Sequence, residues 1–292
     1  MDLNYRTNYK LIKNEIIQLI RNAIDEDLQG YGDITSKYII PDSSISSAYI
    51  ICKEKEGAVL CGIDIVKYVL EEINLSISFN KNKNDGDFLK YKEIVCNISG
   101  PTKDLLAAER TCLNFLQHLS GVATITSKFS KITSKYNIKI ADTRKTKPGL
   151  RKIEKYAVFC GGGYNHRFGL FDGILIKDNH IIAAGGIKNA IEKVRPNIPH
   201  QLKIEIEVKD LNELEEAINS KADIIMLDNM SPKVMSEAVK KIRKSIPDCI
   251  IEASGNVSLE TVEEICKTGV DIISCGFITH SAKAIDFSME FT

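Results

Sequence analysis

The sequence has no net charge, no CxxC pair and no apolar run approaching the roughly 18 to 20 residues that a membrane-spanning helix needs. Each absence closes a class of function. Thirty-nine basic residues balance thirty-nine acidic ones, whereas a general nucleic-acid binder carries a broad basic face, so no nucleic-acid partner is expected. The eight cysteines (52, 61, 96, 112, 160, 249, 266 and 275) lie mostly in apolar runs without metal-ligand spacing. That is the setting of reduced core thiols, not of a disulfide framework. The N-terminal stretch MDLNYRTNYKLIKNE lacks the apolar core of a signal peptide, and a cytoplasmic protein with no membrane partner is expected. No Ser-His-Asp arrangement, nucleophile elbow or HExxH pair is visible. The glycines of GGGYNHR lack the strand spacing and partner acid of a dinucleotide fingerprint.

What is present is ample for a full core: 292 residues, 43% hydrophobic and 27% charged. A large α/β domain with an added smaller one is the natural expectation. From residue 138 onward a short β-branched run, a polar or glycine residue at its end and a helical segment recur. The runs are IKIAD (138–142), GILIKD (173–178), KIEIEV (203–208), DIIMLD (223–228), CIIEAS (249–254) and VDIISCG (270–276). Near-continuous Ile and Leu predicts strands covered on both faces, in a parallel α/β barrel or a doubly wound sheet. The polar strand ends favour the barrel, which places its chemistry there. Before residue 110 the pattern differs. A helix through YKLIKNEIIQLIRNAIDEDL, then glycine-punctuated strands, predicts a separate α+β domain, with DLLAAERTCLNFLQHLSGVATITSKFSKI as helical linkage.

Between Ala141 and Lys177 the sequence gathers eight Lys or Arg against three acids, an excess of five positive charges in a chain whose balance is zero. Concentrated charge lowers the cost of desolvating an anion. Arginine forks match carboxylates two bonds at a time, and lysines act as point charges suited to phosphate. Arg144, Lys145, His166, Arg167 and Lys177, in glycine-rich or strand-end settings, are the candidate anion ligands. Lys152 and Lys155, on the amphipathic stretch KIEKYAV, read as a solvated helix face. In KIEIEV, period-two alternation puts Glu205 and Glu207 on one face, and two acids facing a barrel interior are costly unless they bind something. Asp228 ends the next run beside Glu207, and the pair is expected to hold sugar hydroxyls or a magnesium ion, with structural salt bridges to the nearby lysines as the alternative. Gly255 and Gly276, with Ser254, follow the last two strands, a place where barrels commonly build a phosphate site. His118, His200 and His280 read as structural, and His180 is left undecided.

Taken together these segments resemble the quinolinate phosphoribosyltransferase family: EDLQGYGDITS (26–36), AAERTCLNFLQHLSGVAT (107–124), ADTRKTKPGLR (141–151), GGGYNHRFGLFD (161–172), LIKDNH (175–180), IEIEV (204–208), MLDNM (226–230), EASGN (252–256) and CGFITHS (275–281). The departures are mild, Cys112 for a usual alanine and Cys275 for a usual aliphatic residue. The resemblance implies an incomplete, seven-stranded α/β barrel over about 119–278 and an N-terminal α+β open-faced sandwich over about 1–118, on which residues 279–292 can pack back. It implies transfer of the phosphoribosyl group of phosphoribosyl pyrophosphate to quinolinate with decarboxylation, giving nicotinate mononucleotide, pyrophosphate and carbon dioxide for NAD synthesis. It also implies Mg2+ as cofactor and a homodimer, with further assembly to a hexamer left open, whose active site is shared between subunits. Carried over residue by residue, Arg110 of the neighbouring subunit, Arg144, His166, Arg167 and Lys177 bind quinolinate, beside Thr143. Lys145, Glu207 and Asp228 are catalytic, Glu207 and Asp228 hold ribose hydroxyls directly or around the metal, and Ser254, Gly255, Asn256 and Gly276 cradle the 5′-phosphate. A related branch with another substrate, a non-catalytic sensor of phosphoribosyl ligands and a phosphate-handling barrel isomerase are the rival readings.

Overall fold

The computed structural model describes residues 11–292. Tyr9 and Lys10, at the start of the expected first helix, lie outside the described residues. The chain packs into two units: the described residues up to Ser127 together with Lys147–Gly162 and Ser281–Thr292, and Lys128–Thr146 together with Gly163–His280. The sequence boundary expected at 118/119 falls inside a single helix, Thr102–Thr133.

The first unit contains α1 (Lys13–Leu28), α2 (Ile34–Ile39), β1 (Ile45–Cys52), β2 (Ala58–Val59), α3 (Ile63–Ile73), β3 (Ser78–Lys81), β4 (Phe88–Leu89) and β5 (Ile94–Pro101). Helix α4 (Thr102–Thr133) follows directly. The C-terminal strand pairs antiparallel with β1, Cys52 opposite Phe287, and completes a sheet in which β1 and β5 are central and β3 forms the other edge. Asp33 starts α2 by accepting the Thr35 and Ser36 main-chain N–H groups at 3.0 and 3.1 Å. Helix α3 has no cap of its own at Gly62, and the half-buried Asp85 carboxylate accepts the Gly62 and Ile63 N–H groups at 2.8 and 3.0 Å. Gly121 lies inside the continuous helix α4, where glycine costs about 1 kcal/mol relative to alanine. A Cβ there would lie 2.3 Å from the Lys283 carbonyl oxygen, so the close approach of the C-terminal segment demands glycine.

The second unit carries the six predicted runs as strands: β6 (Lys139–Ala141), β7 (Ile174–Ile176), β8 (Ile204–Val208), β9 (Ile224–Asp228), β10 (Ile250–Ser254) and β11 (Ile272–Ser274). All pair in parallel, in the order β6-β11-β10-β9-β8-β7. Beyond β6 a parallel bridge from Ala141 to Tyr164 marks a seventh position, the open edge of an incomplete barrel. Between these strands run α6 (Asp178–Ala184), α7 (Ile187–Val194), α8 (Leu211–Asn219), α9 (Pro232–Ser245) and α10 (Val262–Cys266), and α11 (Phe277–His280) follows β11. The remaining elements, α5 (Arg151–Cys160) and β12 (Phe287–Phe291), pack in the first unit. Alternate strand residues Ile204, Ile206, Val208, Ile225, Leu227, Ile251, Ala253 and Ile273 have no exposed surface. Full burial of such side chains contributes about 1.5 to 3 kcal/mol each. The intervening residues, Glu205, Met226, Glu252 and Ser274, take the opposite face.

One expectation fails in α5. Lys155 is 2% exposed and Glu154 has no exposed surface, so this face of the helix is not solvated. Glu154 is satisfied by His118 Nε2 at 2.8 Å and the Lys147 main-chain N–H at 3.1 Å. Lys152, by contrast, is surface-reaching and pairs with Glu15 at 2.7 Å.

Candidate active site

A cavity of about 940 Å³ opens at the C-terminal ends of the barrel strands, lined only by residues of the second unit. Thr143, Arg144 and Lys145 reach it from the segment after β6, His166 and Arg167 from the glycine-rich segment, and Lys177 from the end of β7. Glu207 and Asp228 line it from the ends of β8 and β9. Ser254, Gly255 and Asn256 follow β10, and Gly276 follows β11. Residues drawn from more than 130 positions of sequence thus border one space. Arg110 does not line it and is exposed on α4.

Local hydrogen bonds explain how these side chains are aimed. The buried Asp142 carboxylate accepts the His166 main-chain N–H at 2.9 Å and the Asn165 amide at 2.6 Å, tying the NHR segment to the end of β6. Asp172 accepts the Phe168 and Gly169 N–H groups at 2.6 and 2.8 Å and shapes the following turn. Arg167 Nη1 donates to the Gly173 carbonyl at 2.9 Å, which anchors one limb of its guanidinium. Burial, and then the neighbouring Arg144 guanidinium, lower the Arg167 pKa. Like charges held together in this way favour an anion between them. Thr143 Oγ1 accepts the Lys145 N–H at 3.0 Å, and Thr279 Oγ1 donates to the Lys145 carbonyl at 2.8 Å, linking the β6 and β11 ends.

The two inward acids of β8 have different surroundings. Glu207 accepts from Lys177 Nζ at 2.6 Å at the cavity wall. Glu205 is 6% exposed and meets His166 Nε2 at 3.2 Å, and Glu252 Oε1 lies 3.6 Å from the same nitrogen. Burial, and then the Glu205 charge, push the Glu252 carboxyl up to about 7. Asp228 Oδ2 accepts the Asn229 side-chain amide at 3.0 Å. The turn after β10 needs its glycine. Gly255 has φ of +90°, and a Cβ there would lie 2.2 Å from Asn229 Oδ1. A Cβ on Gly276 would meet Lys145 Cδ at 2.8 Å.

Sequence reasoning overlooked several lining or supporting residues. His280, read as structural, borders the cavity, as do Asn229, Ser258 and Phe277. Glu252 was detectable: the period-two rule that turns Glu205 and Glu207 inward does the same for Glu252 and Ser254 in CIIEAS. His180 is a helix-terminus residue, its Nδ1 accepting the Lys177 main-chain N–H at 3.0 Å.

Among the described residues two groups have the spacing of metal ligands, His166–Glu205–Glu252 in the second unit and Cys61–Asp85–Cys160 in the first. In the first unit the Asp85 oxygens already serve the α3 N–H groups and accept the Tyr156 hydroxyl at 2.9 Å. Burial, and then Cys160, hold the Cys61 thiol well above its ordinary pKa, so it is not a ready thiolate ligand.

Comparison with known proteins agrees with this architecture. Residues 33–120 match the family model for the quinolinate phosphoribosyl transferase N-terminal domain, and residues 122–290 that for the C-terminal domain. The probable nicotinate-nucleotide pyrophosphorylase [carboxylating] of Bacillus subtilis is 43% identical over 279 residues, spanning 95% of this chain and 94% of that protein. The corresponding protein of Methanocaldococcus jannaschii is 42% identical over 286 residues, 96% of this chain and 98% of its own. Among solved structures, the nicotinate-nucleotide pyrophosphorylase from Francisella tularensis superposes with a TM-score of 0.90 at 41% identity, covering 97% of this chain and 98% of that one. NadC from Streptococcus pyogenes gives a TM-score of 0.91 at 38% identity, with 98% and 99% covered.

Proposed function

The chain belongs to the quinolinate phosphoribosyltransferase family, and from that premise we propose how its cavity transfers the phosphoribosyl group of phosphoribosyl pyrophosphate to quinolinate. The reaction releases pyrophosphate and carbon dioxide and leaves nicotinate mononucleotide, in the de novo route to NAD. One observation carries the reading: four cations, two acids and two glycine-bearing strand ends border a single cavity. Arg144 and Arg167 take the two carboxylates of quinolinate, their forks matching planar anions. Lys145 and Lys177 supply point charge for the pyrophosphate as it departs. Ser254, Gly255, Asn256 and Gly276 cradle the 5′-phosphate, where main-chain N–H groups approach without a Cβ in the way.

The pyridine nitrogen is already a nucleophile, so no general base is needed for its attack on the ribose carbon. Orientation and fixed charges around an oxocarbenium-like ribose lower the barrier. Glu207 and Asp228, at the ends of adjacent strands, hold the ribose hydroxyls. Once alkylated, the ring nitrogen is cationic and stabilises the carbanion left when the adjacent carboxylate departs as carbon dioxide. That carbon then takes up a proton. The same two acids suit Mg2+, which binds one or two carboxylates plus substrate phosphate oxygens and keeps several waters. When bound, the ion neutralises pyrophosphate charge. Lys177 Nζ already pairs with Glu207, which favours contact through water or phosphate over a closed protein cage.

The protein works as a homodimer in which Arg110 of the neighbour completes the quinolinate site. Exposed apolar side chains support this: Tyr31, Ile34, Tyr38 and Ile39 on and beside α2 in the first unit, and Leu170, Phe171 and Ile182 in the second. The deciding assay is carbon dioxide release from carboxyl-labelled quinolinate. Release is expected only with phosphoribosyl pyrophosphate and Mg2+ together, and release independent of the sugar donor, or none at all, refutes the reading.

A further inference from the structure

Two buried glutamates stand behind His166, which lines the cavity, and are not used by the chemistry above. We propose that Glu205 and Glu252 are positioning residues that lock His166 in the tautomer carrying its proton on Nε2, and that His166 in turn sets Arg167 on the cavity wall. The Arg167 main-chain N–H donates to His166 Nδ1 at 2.8 Å, so Nδ1 is an acceptor and bears no proton. A neutral imidazole has one N–H, which must then sit on Nε2. Nε2 faces the acceptor Glu205 Oε2 at 3.2 Å, with Glu252 Oε1 a carboxyl neighbour at 3.6 Å, beyond hydrogen-bond range.

This assignment excludes two other states of the cluster. The three ligand-type atoms lie within 4.8 Å of one another, the spacing of a cation site. Metal ligation through Nε2 would move the imidazole proton to Nδ1, against the Arg167 N–H. An imidazolium would create the same N–H to N–H conflict. Both carboxylates are sealed from solvent, Glu205 6% and Glu252 2% exposed, so the ring is held among buried acceptors. Around Glu252, burial and Glu205 on β8 favour the protonated acid, whereas His166 from the glycine-rich segment, Ser274 on β11 and Lys177 from the end of β7 favour the carboxylate. Neither Glu252 Oε1 nor Ser274 Oγ has a well-formed hydrogen bond.

The tautomer is measurable without substrate. Labelling the ring nitrogens of histidine gives five imidazoles, and the signal lost in His166→Gln identifies the one of interest. Nitrogen–proton correlation spectra are expected to show a neutral Nε2–H ring that zinc does not shift. An imidazolium, an Nδ1–H ring or a zinc-dependent shift overturns the assignment. The kinetic consequence rests on the proposed quinolinate role of Arg167. Glu252→Ala should raise the KM for quinolinate roughly tenfold and leave that for phosphoribosyl pyrophosphate unchanged. Glu252→Gln, which keeps the size and polar end of the side chain beside the ring, should restore it. Equal damage to both KM values, or no rescue by glutamine, overturns the positioning role. Lack of turnover by the unsubstituted protein would instead defeat the proposed function, and the spectra would still decide the tautomer.

Discussion

Replacing Arg167 by alanine should weaken quinolinate binding by two to four orders of magnitude, and the ordering among substitutions tests the geometry more sharply than the loss itself. Arg167 spends one N–H on the Gly173 carbonyl at 2.9 Å, which leaves a fixed fork rather than a floppy cation. Two charge-assisted bonds from that fork to one carboxylate contribute about 1.5 to 3 kcal/mol each. Losing both costs about 3 to 6 kcal/mol, or roughly a factor of 10² to 10⁴ in Kd. Arg167→Lys keeps the charge but cannot hold the carbonyl and both carboxylate oxygens with one ammonium. Its loss should be about one bond, roughly tenfold to a hundredfold. Titration calorimetry with quinolinate measures both. Because the chain has ten tyrosines and no tryptophan, tyrosine fluorescence reports that each variant remains folded. A Kd for Arg167→Ala within about threefold of the unsubstituted protein, or a lysine variant as impaired as alanine, would refute the reasoning.

Asp228→Ala is expected to depress steady-state turnover while leaving quinolinate affinity intact, and near-native rates would remove Asp228 from the sugar site. Gly255→Ala places a Cβ 2.2 Å from Asn229 Oδ1 at a φ of +90°, so the KM for phosphoribosyl pyrophosphate should rise at least roughly tenfold. An unchanged value would show that the turn is not used. Mixing inactive Arg110→Ala and Arg144→Ala protomers should restore about a quarter of native activity, since heterodimers hold one intact shared site. No recovery, in a sample that sedimentation shows to exchange subunits, would place Arg110 outside the site. Burial raises the Asp85 carboxyl from 3.8 to about 6 in the folded chain. The folded state therefore holds this proton more tightly than the unfolded one. The stability this confers is fully present below about pH 4 and is lost as pH rises through about 6, by at most about 3 kcal/mol because part of the residue reaches solvent. Asp85→Asn should remove that slope in calorimetric unfolding, and an unaltered slope would assign it to other groups.

Much of this architecture was legible in the chain because the signals are local. Six β-branched runs with polar ends are the six parallel strands, since strand periodicity and turn residues act over a few positions. The gathering of cations between 141 and 177 and the inward alternation of Glu205 and Glu207 are equally properties of short segments. What tertiary structure alone decided is which neighbour each group meets. Glu205 and Glu207 share a face, yet one is sealed against His166 and Glu252 while the other meets Lys177 at the cavity, because depth in the barrel is set by strands distant in sequence. Lys155 looks like a surface lysine on its own helix and is buried only by what packs over it. Periodicity says which way a side chain points, but its charge state and role depend on the company that folding brings within a few ångströms.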